Sequence, residues 1–409
     1  MTASTEDHFV VEPGATIGVL GSGQLGRMFA IAAKQLGYRI HVFSPTPDSP
    51  TGQVADLEVV AAYDDLEAVE RFAQQVDAIT LEFENVPVEA IDVAAKFAPV
   101  RPGAKVLATT QNRIKEKSFL RDAGLPVGNF KPVRSLEELK TACENFLPAV
   151  LKTTTLGYDG KGQTVIREPG EIESAWHQLK TDEAILEEFI EFDFEFSVVG
   201  ARNVAGVFAA FDPIENEHRN HILDVSLSPS QLPKNLADEA TKIVSEVMDQ
   251  LNAVGVLCVE FFMASDGRIL VNEIAPRPHN SGHLTIDAHE TSQFEQQVRA
   301  VCGLRLGSTR QLSPAAMVNL LGECWESGEP KWHLGLSTPT TKLHLYGKSD
   351  PKPGRKMGHV TALGETTKQA AEYARAAREL LRFDPKVDHD ETAEDDDESN
   401  HSLASIESP

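Results

Sequence analysis

The residues best placed to do chemistry are two glutamates, Glu260 and Glu273, each inside a stretch of strand character. Residues 255–263 and 269–274 read as the arms of a β-hairpin turning at Ser265-Asp266-Gly267. Folded so, the arms bring both carboxylates onto one face, with Asn272 beside the second. Hard oxygen donors of this kind, completed by phosphate oxygens and water, hold Mg²⁺ next to a nucleoside triphosphate. A pair of surface acids would show the same spacing. Against that reading, Glu260 stands in the otherwise apolar run 256–263, where a carboxylate without a partner is costly to bury.

Further polar groups suit a polyphosphate and a small anion. Lys152 precedes Gly157-Tyr158-Asp159-Gly160-Lys161-Gly162-Gln163, a loop between two strand-like segments. Its backbone amides can close over phosphates while Lys152 and Lys161 neutralise charge. It is not a Walker loop, and a lysine-bearing surface hairpin is the plain alternative. Glu187-Glu188-Phe189-Ile190 ends a strand and Glu195 follows. In a hinge, such a backbone can read an adenine edge and Glu195 can accept from ribose hydroxyls, although by itself the segment also fits a solvated acidic stretch. In Ala275-Pro276-Arg277-Pro278-His279-Asn280-Ser281-Gly282-His283, Arg277 can grip a phosphate or carboxylate, and His279 and Asn280 can hydrogen-bond a small anion. Gly21-x-Gly23-x-x-Gly26 is compatible with a dinucleotide site, a structural turn, or a site for a substrate phosphate or ribose. The second strand ends in Ser44-Pro45, with no acid for a ribose diol, so the substrate reading is preferred.

These residues need a scaffold. A strand over 16–20, a helix over 27–36, strands over 39–43, 57–61 and 78–83 and a helix over 64–75 predict a parallel sheet covered by helices. A helix over 112–123 stops at Gly124-Leu125-Pro126, near the start of a second lobe. From 148 to 195 the order is strand, glycine loop, strand, helix, strand. Alternating segments such as 204–211 then predict an antiparallel sheet, followed by helices over 238–251 and 294–302. A smaller β-rich unit spans roughly 315–383.

Composition sets the outer bounds. With 409 residues, 41% hydrophobic and 24% charged, the chain can bury a sizeable core in two or three domains. No apolar run approaches the roughly 18 residues of a membrane span, and the first residues lack the pattern of a secretory signal, so a cytoplasmic protein without a membrane partner is expected. The net charge of −24 argues against nucleic acid as a partner. From Asp384 onward ten acidic residues accompany one lysine, Lys386, so much of that charge lies in a tail too poor in apolar groups to offset its ordering entropy. Cys143, Cys258, Cys302 and Cys324 are too scattered for a zinc site or disulfide framework and read as buried thiols.

Taken in order, the motifs resemble the ATP-grasp superfamily and, within it, the 5-(carboxyamino)imidazole ribonucleotide synthase family (N5-CAIR synthetase, PurK-type). The likeness runs over about residues 16–360 and rests on Gly21-Ser22-Gly23-Gln24-Leu25-Gly26-Arg27-Met28, Glu82-Phe83-Glu84-Asn85-Val86, residues 157–163, Asn272-Glu273-Ile274-Ala275-Pro276-Arg277 and Asn280-Ser281-Gly282-His283. The stretch 346–359 is similar to the family's C-terminal signature; Ser22, often glycine in the family, is a minor departure.

The resemblance implies an α/β and α+β multidomain chain: a flexible lead (1–14), an N-terminal Rossmann-like, biotin carboxylase-like preATP-grasp domain (15–112), an ATP-grasp domain (113–312) with a mobile lobe at about 126–190, a C-terminal β-rich domain (313–384) and a disordered acidic tail (385–409). It further implies that Arg113, Lys152, residues 157–163, Glu187, Glu188, Phe189, Ile190, Glu195, His218, Asn272 and Glu273 contact ATP. Glu260 and Glu273 would hold Mg²⁺, with Mn²⁺ as a substitute and no biotin. The substrate 5-aminoimidazole ribonucleotide (AIR) would lie near Gln24, Leu25 and Glu82, with Arg277, Lys348, Arg355 and Lys356 reaching its phosphate. Asp159, Lys161, Arg277, His279 and Asn280 are the expected catalytic set. Bicarbonate would attack ATP to give carboxyphosphate, which, or CO₂ released from it, would carboxylate AIR in purine synthesis, the enzyme acting as a homodimer. The rivals are another ATP-grasp ligase, such as a formate-using purine transferase, and a dinucleotide-sensing protein, which would leave Glu260 and Glu273 unexplained.

Overall fold

The computed structural model describes residues 10–155, 157 and 161–382. The strands Thr16–Leu20, Arg39–Ser44, Leu57–Val60 and Ala78–Leu81 form a parallel sheet in the order third, second, first, fourth. Thr16–Leu20 is buried along its whole length, as a central parallel strand with both faces covered must be. The helix Gln24–Gln35 turns Leu25, Met28, Phe29, Ala32 and Ala33 to one face, an i, i+3, i+4, i+7, i+8 stripe, and shares a core with the later helix Gln293–Val301. Leu66–Ala73 and Val88–Ala94 cover the other face.

Two boundaries differ from expectation. The last strand stops at Leu81, so Glu82 and Glu84 stand beyond the carboxyl end of the sheet, with Glu82 beside the turn that leaves the first strand. Open parallel sheets bind ligands at that edge. Val11, inside the lead expected to be flexible, is buried; its amide bonds to the Cys302 carbonyl at 2.9 Å and its carbonyl accepts from the Tyr38 hydroxyl at 2.7 Å. Packing therefore begins before residue 14. The expected acidic tail lies outside the described residues.

The middle of the chain builds two sheets. A small antiparallel one runs in the order Phe130–Val133, Ala184–Glu188, Ala149–Thr153, Gln163–Ile166 and packs its apolar side on the helices Leu136–Cys143 and Ile172–Leu179. The large one runs Ile269–Ala275, Gly255–Ala264, Phe192–Arg202, Ile214–Arg219, Ile222–Ser228, Ala315–Leu321, Lys356–Leu363, Thr341–Leu345. The helix Lys234–Gln250, starting four residues earlier than expected directly after Pro233, packs on one face of it.

The alternating segment 204–211 shrinks to the short strand Phe208–Ala210, because the Asn203 side chain accepts from the amides of Ala205 (3.1 Å) and Val207 (3.0 Å) and folds the chain back. The C-terminal β-rich unit has no closed sheet of its own. Its strands extend the large sheet through pairs such as Val225 with Val318, and the helix Thr367–Arg382 covers them.

No helix among the described residues is long and apolar enough to cross a membrane, and all four cysteines are buried and unpaired.

Candidate active site

The hairpin places Glu260 directly opposite Glu273. Opposed residues of an antiparallel pair point to the same face, so both carboxylates share one side of the sheet. The register slips just beyond them, leaving Asn272 as the extra residue of a bulge, a device that takes a side chain out of strict alternation. Two protein cations hold the acids. Glu260 meets His279 Nε2 at 2.9 Å, and Arg113 donates to Glu273 at 3.1 Å while its other terminal nitrogen donates to the Gly157 carbonyl at 2.9 Å. One guanidinium therefore ties the second acid to the start of the glycine loop.

Burial works against a charged His279, but Cys258 and Glu260 beside it work for the proton and push its pKa up to about 10. Glu260, for which burial works in the other direction, is lowered to about 2 by His279 and His218. Among the described residues no group of three or more His, Cys, Asp or Glu could hold a metal unaided. Two carboxylates on one face nevertheless fit a Mg²⁺ ion that completes its shell from substrate phosphates and water.

A pocket opens at the junction of the two antiparallel sheets, lined by Val150, Phe189, Ile190, Phe192, Phe262 and Leu270, with Lys117, Lys152 and Glu187 at its polar end. Lys152 Nζ donates to Glu187 at 3.0 Å and Lys117 Nζ stands 3.5 Å from the same oxygen. Burial would raise Glu187, yet the two ammonium groups outweigh it and hold the carboxyl at about 2. Lys152 is shifted down, first by burial and then by its cationic neighbours, with Glu187 opposing. An apolar slot with a few fixed polar groups is the usual form of a nucleobase site. Nearby, His218 Nδ1 lies 2.5 Å from Glu195, at a bulge between Glu217 and His218.

The far end of the cleft is built at the edge of the parallel sheet. The Gly23 amide donates to Glu82 at 2.8 Å, so the amino end of the helix Gln24–Gln35 already faces a carboxylate of the protein. Burial raises Glu82 more than the Gly23 amide, Arg277 and Lys348 lower it. Arg277 takes Glu84 in a fork, 2.6 Å from Nε and 3.1 Å from Nη2, and overcomes burial to keep that carboxyl below its usual value. The loop after Arg277 is pinned from beneath. His279 Nδ1 meets Ser281 Oγ at 2.8 Å, Ser281 meets the buried Ser197 at 2.7 Å, and Gln293 bonds both backbone groups of His279.

Most of the expected residues converge on this cleft. Lys348 acts on Glu82 and Lys356 on Glu260. Arg355 is turned to the Asp350 carbonyl at 2.8 Å. Leu25 is a core side chain that also lines a small hollow with Glu82 and Pro278. Tyr158, Asp159 and Gly160 lie outside the described residues. Sequence reasoning gave no role to Glu84, Glu116 or Lys117. Glu116 is buried, accepts from the Ile274 amide at 3.2 Å and is raised to about 8 by desolvation and then by Glu273. A signal existed: Glu116, Lys117 and Leu120 share the buried side of the helix Arg113–Asp122, where charged residues are rare unless paired.

Three domain families match the chain in order: the ribonucleotide synthetase preATP-grasp domain over residues 14–111, the ATP-grasp domain over 118–294 and the phosphoribosylaminoimidazole carboxylase C-terminal domain over 315–373. The chain is 47% identical over 353 residues to N5-carboxyaminoimidazole ribonucleotide synthase of Bacillus subtilis, covering 86% of this chain and 92% of that one. Among solved structures, the ADP complex of purK, an N5-carboxyaminoimidazole ribonucleotide synthetase, superposes with a TM-score of 0.85 at 44% identity, covering 90% of this chain and 97% of that one. The Aspergillus clavatus N5-carboxyaminoimidazole synthase in complex with ADP and 5-aminoimidazole ribonucleotide gives 0.82 at 28% identity, with 90% and 98% covered. With opposed acids, a buried lysine pair and three domain matches in the same order, this chain belongs to the N5-carboxyaminoimidazole ribonucleotide synthase family of ATP-grasp ligases.

Proposed function

We propose that the chain carboxylates the amine of AIR with bicarbonate, cleaving ATP to ADP and phosphate, as a step of purine synthesis. The observation that carries this reading is Glu260 opposite Glu273 with Arg113 joining Glu273 to Gly157: the acids and the start of the phosphate loop share one cleft. The Lys152 and Phe189 pocket would take adenine, Glu195 and His218 the ribose, and Lys152, Lys161 and residues 157–163 the phosphates. Glu260 and Glu273 would hold Mg²⁺, or Mn²⁺ in its place, which when bound supplies charge neutralisation to the triphosphate. At the other end Gln24, Leu25 and Glu82 would face AIR, with Arg277, Lys348 and Lys356 toward its phosphate.

Bicarbonate is a weak electrophile. Its oxygen attacks the γ-phosphorus, the bond to the β-phosphate oxygen breaks, and ADP leaves carboxyphosphate behind. The AIR amine then attacks either the carboxyl carbon of carboxyphosphate, displacing phosphate, or the CO₂ that carboxyphosphate releases together with phosphate. His279 and Asn280 would hold the small anion, and Asp159 would take the amine proton or orient the anion. Fixed donors of this sort stabilise charge without reorganising during the reaction. Pairing of two copies, which the family resemblance implies, and a cytoplasmic location belong to the same proposal.

Purified chain supplied with ATP and Mg²⁺ should release ADP only when bicarbonate and AIR are both present. Formate with glycinamide ribonucleotide should not replace them. ADP release that follows formate, or that ignores bicarbonate, would refute the reading.

A further inference from the structure

Asn319 is the one polar side chain in the strand Ala315–Leu321, and it is 0% exposed. An amide in such a core is costly unless its hydrogen bonds are made. They are made chiefly to the site. Asn319 Nδ2 donates to Asn280 Oδ1 at 2.7 Å, and Asn280 Nδ2 donates back to Asn319 Oδ1 at 3.1 Å. Two amides paired edge to edge could both turn over and keep these bonds. The Leu223 carbonyl removes that freedom. It lies 2.7 Å from Asn319 Nδ2, and because a carbonyl only accepts, the amino group of Asn319 must face it. The orientation of Asn319 is thereby fixed, and that of Asn280 follows. Among the described residues Asn280 keeps one N–H and one lone pair uncommitted, on a residue 7% exposed and next to His279.

We infer that Asn319 is a positioning residue for the bicarbonate end of the site: through the paired amides it aims the remaining N–H of Asn280 at the small anion. This rests on the reading of Asn280 as an anion-binding residue. It also gives the C-terminal unit, which supplies Asn319, a part in the first chemical step.

Steady-state kinetics of Asn319→Leu, Asn280→Ala and the double variant test it. Asn319→Leu should lower kcat/KM for bicarbonate about tenfold or more, the scale of one or two misaligned hydrogen bonds, while KM for ATP stays within about twofold. The double variant should be no worse than Asn280→Ala, since Asn319 acts only through Asn280. Asn319→Ser, which keeps a small hydroxyl but cannot hold both amide edges, covers the case of a leucine variant that does not fold and should show the same selective loss. Unaltered bicarbonate kinetics in a folded Asn319 variant, equal losses toward ATP and bicarbonate, or losses that add in the double variant would overturn the proposal. Normal bicarbonate kinetics in Asn280→Ala would remove the role of Asn280 itself, and the proposal with it.

Discussion

The two glycine-rich segments look alike in the sequence and do different work in the fold. At Gly21, with φ +104°, a Cβ would run into Glu82 Cγ and lie 2.8 Å from the Phe83 ring. That turn is tight because the protein's own carboxylate occupies the space. At Gly162, with φ +71°, the nearest atoms a Cβ would meet belong to the Thr153 side chain, 2.6 Å from its Oγ1. The charges beside the segments also differ in sign of response. Burial dominates at Glu82 and raises it, whereas Lys117 and Lys152 dominate at Glu187 and lower it. Glycine content alone thus does not reveal how tightly a turn is packed; the side chains that fold against it do.

The contrast can be broken or sharpened by experiment. The largest effect is expected from Gly21→Ala, where a forbidden backbone angle and overpacking combine: thermal unfolding should show a loss of about 3 kcal/mol or more, with activity lost alongside.

Acid titration of the ligand-free protein comes next. Glu187 has a folded pKa near 2, below its ordinary 4.5, so its stabilisation is present above about pH 4.5 and lost as pH falls toward 2. The amount is on the order of 3 kcal/mol, and Glu187→Gln should remove that pH dependence. Glu82 has the opposite sign. Its raised pKa favours the fold below the unfolded value and loses that contribution as pH rises through the folded one. Glu82→Gln should therefore not destabilise the ligand-free protein at neutral pH, while raising KM for AIR.

Gly162→Ala should cost about 1–2 kcal/mol in unfolding, less than Gly21→Ala, but lower kcat/KM for ATP about tenfold. Equal stability losses at Gly21 and Gly162 would erase the distinction between the two segments.

Much of this was legible in the sequence where local pattern and chemistry agree. The hairpin is readable because Gly267 marks its turn and both arms are apolar, and that pattern already sets Glu260 across from Glu273, as the fold does. The helix over 112–123 was equally plain, since Asn112 caps it. What stayed hidden depends on residues far apart in the chain. Glu84 meets Arg277 across 193 positions and Asn280 meets Asn319 across 39, distances that no periodicity encodes. The pattern from residue 196 onward predicts antiparallel strands, of which Phe192–Arg202 is one, but the segment 204–211 shrinks to Phe208–Ala210 because a single Asn203 side chain, capturing nearby amides, overrides the alternation. The joining of the C-terminal strands to the central sheet was likewise invisible, as edge pairing is decided by tertiary packing.

Everything proposed for the cleft depends on the two opposed carboxylates holding one divalent ion beside the nucleotide. Electron paramagnetic resonance of Mn²⁺, with ADP present, measures this in the wild-type chain and in Glu260→Gln/Glu273→Gln. The prediction is a nucleotide-dependent bound signal in the wild type that weakens at least ~100-fold in affinity in the double variant, while the variant remains folded. Wild-type Mn²⁺ affinity in the double variant would contradict it.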